Sequence, residues 1–317
     1  MANPSTVGED FTVNGVSLST YAYNVWTLAG REQVPPVVGD NTGVPYKNGT
    51  FWVPKSFGQR MITLGMWVNG CDVNGHFAPT RTGRRAQFNS NLRALKRLFA
   101  PRTTPIVSGT IYVDSPPLTL TRTLQFATGP ETHTARGDAY NPSSGGLSAG
   151  GGGMGTDQWD LTPVTIDYGT FSIDIVMHDP WWYGAQQSLT ISVSVSPNGV
   201  ITNPGDVFND HPVITMTGPL TNPRLSNSLA QAPIGGAPYV QLWYNGTIAA
   251  GTTVTIDCGA FTAFDQAGNS VIGNIAHTGS YFWMMLLPGV NNMAVDNQAG
   301  GSVGTGSVGI TYSPAYT

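Results

Sequence analysis

Charge is what this chain has least of. Of its 317 residues, 10% are Asp, Glu, Lys or Arg, against roughly 25% in an average soluble protein, and Lys and Glu occur three times each. A chain so short of the residues that build solvated helix surfaces is not a helical protein. Histidine is scarce as well. His76, His133, His178, His211 and His277 stand far apart, with no HxH, HxxxH or HExxH spacing to set two on one face, which argues against a zinc site. The run Gly150 to Gly153 lacks the following Lys-Ser/Thr and the preceding strand that phosphate binding requires. Two cysteines, Cys71 and Cys258, are too few for a disulfide framework and are expected as buried free thiols in different domains. No apolar run reaches the roughly 18 to 20 residues that span a bilayer; the longest, Tyr281 to Pro288, is strand-sized. Met1 to Asp10 has neither a basic nor an apolar signal region, so the chain is expected to stay where it is made unless something carries it out.

What is abundant is Gly (40) and Pro (23), interleaved with short runs of Thr, Val, Ile, Ser, Tyr and Trp. That mixture predicts a mostly β protein with many turns, and the length predicts two domains of about 150 residues. Phe11 to Leu18 carries Asn14-Gly15, a strong hairpin signal. Tyr21 to Leu28 follows as a strand, and Asn48-Gly49 marks another turn. Arg60 to Asn69 alternates Ile62, Leu64, Met66 and Val68 on one face, as a half-buried strand does. Phe88, Leu92, Leu95 and Phe99 recur at helical spacing, predicting one helix near 84–99, with Thr82 as N-cap and Pro101 as its stop. Arg84, Arg85, Arg93, Lys96 and Arg97 fill its other positions. They make either a solvated face or a surface that meets an acidic partner or a neighbouring subunit. Further strands are predicted at 105–113, 118–126 and 164–177, with residues 127–161 as a long Gly-rich loop. Beyond Gly184 come strands at 188–195, 213–217, 239–244, 252–257, 281–287 and 306–312 with no helix, the pattern of a sandwich or jelly roll. The domains are therefore drawn at 1–184 and 185–317.

Residue patterns that carry chemistry are few. Asp72-Val73-Asn74-Gly75 starts like a calcium loop but lacks the distal Glu, so an Asx turn is expected; Asp265 and Asn269 around Gly268 are read the same way. His178 and Asp179 beside Trp181 and Trp182 could suggest a glycosidase acid with stacking aromatics. No second carboxylate is identifiable, and the four are better taken as domain-junction residues. Nucleic-acid binding is disfavoured: residues 1–180 hold thirteen basic and thirteen acidic side chains, and the chain carries a net charge of −4. No catalytic, cofactor-binding or metal-binding residues are assigned, and no enzyme activity is expected.

Taken in order, several segments resemble one known family. They are Phe11 to Thr20, Val44 to Lys55, Arg60 to Gly70, Phe88 to Phe99, His178 to Gly184, Asn203 to Gly205, Pro212 to Thr215, Ser280 to Asn292 and Ile310 to Tyr316. Their sequence is similar to that of the distal tail proteins of long-tailed, siphovirus-type bacteriophages. The resemblance implies an N-terminal β-sandwich or barrel-like domain with one flanking helix, followed by a C-terminal galectin-like β-sandwich. It further implies a homo-hexameric ring at the distal end of the virion tail, made in the bacterial host cytoplasm. Such a ring has the tail-tube protein on one side and a tail-associated or baseplate hub protein on the other, with DNA passing through its channel without specific binding and no membrane contact. The Gly-rich loop would be a contact arm. The His-Asn-Arg and Trp-Glu-Arg pattern of sugar-binding galectins is not visible, since no Glu and one Arg follow Pro180. Two other readings stay open: a tail-tube protein, and a carbohydrate-binding module holding host wall polysaccharide through Trp243, Tyr244, Tyr281 and Trp283.

Overall fold

The computed structural model describes residues 9–30, 36–38, 42–43, 50–51, 56–99, 103–105, 111–113, 118–126, 129–139, 162–165, 168–177, 179–229, 239–278 and 283–317. The chain divides into two units, Met1–Trp182 with Thr317, and Tyr183–Tyr316. The fold class is the expected one, mostly β with one helix followed by a β-sandwich.

In the N-terminal unit, β1 (Glu9–Val13) and β2 (Val16–Ser17) form the expected hairpin. Asn14 (φ 50°) and Gly15 (φ 77°) both take the left-handed conformation that a type I′ turn demands. The unit also contains β3 (Tyr23–Ala29), β4 (Arg60–Asn69), α1 (Arg81–Phe99), β5 (Leu118–Phe126), β6 (Gly129–Ala139), β7 (Thr162–Thr165) and β8 (Tyr168–Met177). The strands run in the order β2-β1-β5-β6-β8-β4-β3, with β7 on β8, and neighbours are antiparallel. β4 reads as the alternation predicts: Ile62, Leu64, Met66 and Val68 are all fully buried, joined by Ile173, Ile175 and Met177 of β8.

Four expectations change here. Residues 129–139, assigned to the Gly-rich loop, are strand β6, which pairs along all of β5 and then, through Asp138 and Ala139, with β8. Only His133 and Ala135 of its described side chains are buried, too faint an apolar alternation to be read as a strand without the neighbour that supplies the ladder. The rest of that loop, 127–128 and 140–161, lies outside the described residues, as does Asn48-Gly49. The single strands expected at 105–113 and 164–177 are each two: Thr103–Pro105 pairs with Ile111–Val113, and β7 pairs with β8. The helix starts at Arg81, and its cap is Thr80, whose Oγ1 accepts a bond from Gly83 N at 3.0 Å. Thr82 falls inside the first turn. A Cβ on Gly83 would meet Ala78 Cβ at 2.8 Å and Thr80 Oγ1 at 3.0 Å.

The C-terminal unit is a sandwich of two five-stranded antiparallel sheets. Its strands are β9 (Gln187–Ser192), β10 (Asn198–Asn203), β11 (Val213–Thr217), β12 (Pro223–Asn227), β13 (Val240–Tyr244), β14 (Thr253–Asp257), β15 (Thr262–Asp265), β16 (Ile275–His277), β17 (Gly289–Asn297) and β18 (Ser307–Tyr312). One sheet runs β9-β18-β11-β14-β15 and the other β10-β17-β12-β13-β16. Alternate residues turn inward from each, among them Ile214, Met216, Ile256 and Ile310 from the first sheet, and Leu225, Leu242, Met293 and Val295 from the second.

One predicted strand is absent from this unit. Of the run 281–287, residues 281 and 282 lie outside the described set, and Trp283 to Leu287 form an irregular buried segment. Being apolar at every position, the segment has no polar side to turn to water, so it lies in the core with Trp283, Met284 and Leu286 buried. Buried backbone needs partners, and buried asparagines supply them. Asn227 Nδ2 donates to Met285 O at 2.9 Å and to Asn291 Oδ1 at 2.8 Å. Asn291 donates to Leu287 O at 2.8 Å and Gly289 O at 3.1 Å, and accepts from Leu287 N at 2.8 Å. Asn203 Nδ2 reaches Leu286 O at 3.4 Å, while Asn209 and Leu286 exchange backbone bonds of 2.8 and 2.7 Å.

Candidate interaction surface

Helix α1 lies on β4 and buries Phe88, Asn91, Leu95 and Phe99. Leu92, expected in the apolar stripe, is half-buried, and Asn91 takes the central place. Its Nδ2 donates to Asn69 O at 2.7 Å and to Cys71 O at 2.8 Å, while its Oδ1 accepts from Gln87 Nε2 at 2.9 Å. The side chain thus satisfies two carbonyls where β4 ends and holds the helix in register with the strand. An asparagine amid helical periodicity reads as a surface residue in sequence, so nothing flagged it.

The basic residues divide by position. Arg85, Arg93 and Arg97 are exposed, and Arg84 and Lys96 are half-buried. Arg93 and Arg97 stand one turn apart on the side away from the buried stripe, and the Arg85 guanidinium lies 5.1 Å from the centre of the Phe88 ring. No acidic residue occurs anywhere in the helix. Arg81 and Arg84 lie in the first turn, where the helix dipole disfavours cations, and Arg93 repels Arg97 at i,i+4 spacing; each effect costs a few tenths of a kcal/mol. Removing such costs is what an acidic counter-surface does.

The chain divides into its two units between Trp182 and Tyr183, just after the four residues expected at a domain junction. His178 lies outside the described residues, and Asp179 is half-buried. Trp181 and Trp182 are buried, and the Arg122 guanidinium lies 4.5 Å from the Trp182 ring centre. Arg122, itself 6% exposed, also reaches His133 Nδ1 at 3.3 Å and Thr317 O at 3.4 Å, and His133 Nε2 contacts Glu131 Oε1 at 2.8 Å. Since Arg122 can only donate, His133 accepts at Nδ1 and carries its proton on Nε2, facing Glu131. Arg122 and His133 were not singled out from sequence; β5 and β6 bring them together at directly paired positions.

The two suspected calcium loops are Asx turns. Asp72 Oδ1 accepts from Asn74 N (2.9 Å) and His76 N (2.8 Å), and Asp265 Oδ1 from Ala267 N (2.9 Å) and Asn269 N (2.8 Å). These bonds hold both carboxyls below the usual range, Asp72 chiefly through His76 N and Asp265 chiefly through the Asn269 side chain. Among the described residues no three His, Cys, Asp or Glu side chains are grouped to hold a metal. Cys71 and Cys258 are both buried free thiols. Two stretches match the Gly-x-Ser-x-Gly nucleophile elbow by letter. Residues 300–304 form a turn between β17 and β18 rather than the strand-to-helix bend an elbow needs, and 146–150 lie outside the described residues. Of the suspected sugar-stacking aromatics, Tyr244 and Trp283 are buried and Trp243 is half-buried, whereas Tyr281 is outside the described set. Trp283 packs edge-on against Phe261 at 5.5 Å.

No protein-family model matches the sequence, and no curated relative does. The architecture, a β unit with one flanking helix followed by a two-sheet sandwich, is a Dit-like fold. Among solved structures, the chain is similar to the Dit protein of phage SPP1, described as a paradigm of the hub adsorption apparatus of phages that infect Gram-positive bacteria. The two share 12% sequence identity over 98% of this chain and 99% of that one, with a TM-score of 0.57. Two structures of the phage P2 baseplate in its activated conformation, with Ca and with Sr, align over 96% of this chain and 97% and 98% of theirs. Their identities are 8% and 7% and their TM-scores 0.35 and 0.37.

Proposed function

We propose that this chain is a structural subunit of a bacteriophage tail, a distal tail protein whose copies form a homo-hexameric ring joining the tail tube to the tip or baseplate proteins and surrounding the DNA channel. The observation that carries the reading is the fold similarity to the SPP1 Dit hub protein, which covers 98% of this chain and 99% of that one with a TM-score of 0.57. The ring-forming domain is 1–184 and the outward sandwich 185–317. Neighbouring copies meet through the basic face of α1, with Arg84, Arg85, Arg93, Lys96 and Arg97 against acidic side chains. The helix carries five basic residues along this face and no acidic residue of its own, which supports that contact. His178, Asp179, Trp181 and Trp182 mark the passage between domains. The chain is made in the bacterial host cytoplasm and resides in the virion.

Solution mass over a micromolar concentration range, with negative-stain images of the same sample, tests the assembly. A six-fold ring with a central opening is expected, and the Arg93→Glu/Arg97→Glu double variant should lower the ring fraction at least ~10-fold, the equivalent of about 1.4 kcal/mol, while the thermal transition of the sandwich stays unchanged. A ring that forms normally with both arginines reversed refutes the interface. A strict monomer, even when mixed with the tail-tube and hub proteins of the same phage, refutes the ring.

A further inference from the structure

A cleft of about 610 Å³ opens on the sandwich where the end of β13, the turn at 249–252, the start of β14 and the turn after β15 converge. Its floor is apolar: Tyr244, Ile248 and Val254 are 8%, 3% and 3% exposed. The Tyr244 ring is held by its hydroxyl, which accepts a bond from Asn274 Nδ2 at 3.2 Å. The rim carries the hydroxyls of Thr247 and Thr253, the amide of Gln266 and the carboxylate of Asp265. No cation lines the cleft. A phosphate, sulfate or carboxylate entering it would meet one carboxylate and no counter-charge, which costs rather than gains energy. Hydroxyls and amides both donate and accept, so the rim suits a neutral ligand with many hydroxyls. The volume lies within the range of small-ligand sites.

We propose that this cleft binds a neutral saccharide of one or two rings, its hydroxyls bonded to Thr247, Thr253, Gln266 and Asp265 around the rim. The site differs from the outward side of β13, where Trp243 lies opposite Arg224, and Arg224 pairs with Asp296 at 2.6 Å. It belongs to the C-terminal unit alone, so its test and the test of the ring fail independently.

The experiment is saturation-transfer NMR on the full chain with the methyl glycosides of glucose, galactose and N-acetylglucosamine, and with cellobiose, lactose and chitobiose, each at ~10 mM. That concentration suits a ligand of this size, with an expected dissociation constant on the order of 1–10 mM. Transfer to at least one neutral sugar is expected. Ala267→Trp, which places a bulky ring at an exposed rim position, should abolish it; Gln266→Ala should weaken it several-fold; Trp243→Ala should leave it intact. Gln266→Ala decides the matter should Ala267→Trp perturb folding, which the melting temperature reports. The proposal is overturned by no transfer from any neutral sugar, by transfer that survives both cleft variants, by transfer lost with Trp243→Ala, or by stronger transfer to glucose 6-phosphate than to glucose.

Discussion

Replacing Asn91 by alanine should destabilise the N-terminal unit by about 2.5–3.5 kcal/mol. The side chain donates two bonds, of 2.7 and 2.8 Å, to Asn69 O and Cys71 O; losing them costs ~1 kcal/mol each. The Cys71 residue is itself buried, and leaving its carbonyl without this donor adds about 1–2 kcal/mol. Alanine returns ~0.6 kcal/mol through its helix propensity. For a unit of this size the balance corresponds to a melting-temperature drop on the order of 5–10 °C. Asn91→Asp should be worse, because a carboxylate sets oxygen where both carbonyls need a donor. Ser90→Ala, at an exposed neighbouring position, should stay within ~0.5 kcal/mol of the parent. Urea unfolding with hydrogen exchange on the same samples separates the two units: protection should fall in α1 and β4 and hold in the sandwich. A loss below ~0.5 kcal/mol for Asn91→Ala, or protection lost equally in both units, would show that the asparagine does not pin the helix.

Asn291→Ala should free the Leu287 amide and carbonyl and cost about 2–4 kcal/mol, read as faster hydrogen exchange at Leu286 and Leu287 and a shifted Trp283 emission; unchanged exchange would contradict the role given to the buried asparagines. The Asp265 carboxyl is held below the usual carboxylate range, chiefly by the Asn269 side chain. Because the folded pKa is the depressed one, the contribution is present above the unfolded pKa and is lost as pH falls through the folded pKa. Asp265→Asn should therefore flatten the acid limb of the sandwich's melting-temperature profile below pH ~4, and an identical profile in the variant would remove this turn from the acid response. Burial pushes the thiols of both Cys71 and Cys258 up, so neither should react with iodoacetamide at pH ~8 until denaturant is added; rapid alkylation of the native chain would contradict their burial.

What could be read from sequence was local. The hairpin at Asn14-Gly15, the alternation of β4 and the helical spacing of Phe88, Leu95 and Phe99 each depend on a few adjacent residues. They came out as expected because conformational preference and side-chain period act over that range. The candidate surface was legible for the same reason, as a helix with cations and no acid. Its anchor was not. Asn91 finds acceptors 20 and 22 residues away, and Asn227 an acceptor and Asn291 at separations of 58 and 64; in isolation asparagine signals turns and surfaces.

The sequence by itself determined that the chain is β-rich, twofold in organisation, carries one helix with a basic outer face, and turns tightly at Asp72 and Asp265. Tertiary structure alone decided that Gly129–Ala139 is a strand, because β5 and β8 supply the ladder that its weak apolar alternation does not announce. It decided that Trp283 to Leu287 is not a strand, because a run apolar at every position, with Trp283, Met284 and Leu286 buried, takes its hydrogen bonds from asparagine side chains and the Asn209 backbone. It also decided that Tyr244 floors a cleft while Trp243, one residue earlier, faces outward. Backbone partners and burial belong to pairs of distant segments, and pairs form only when the chain has folded.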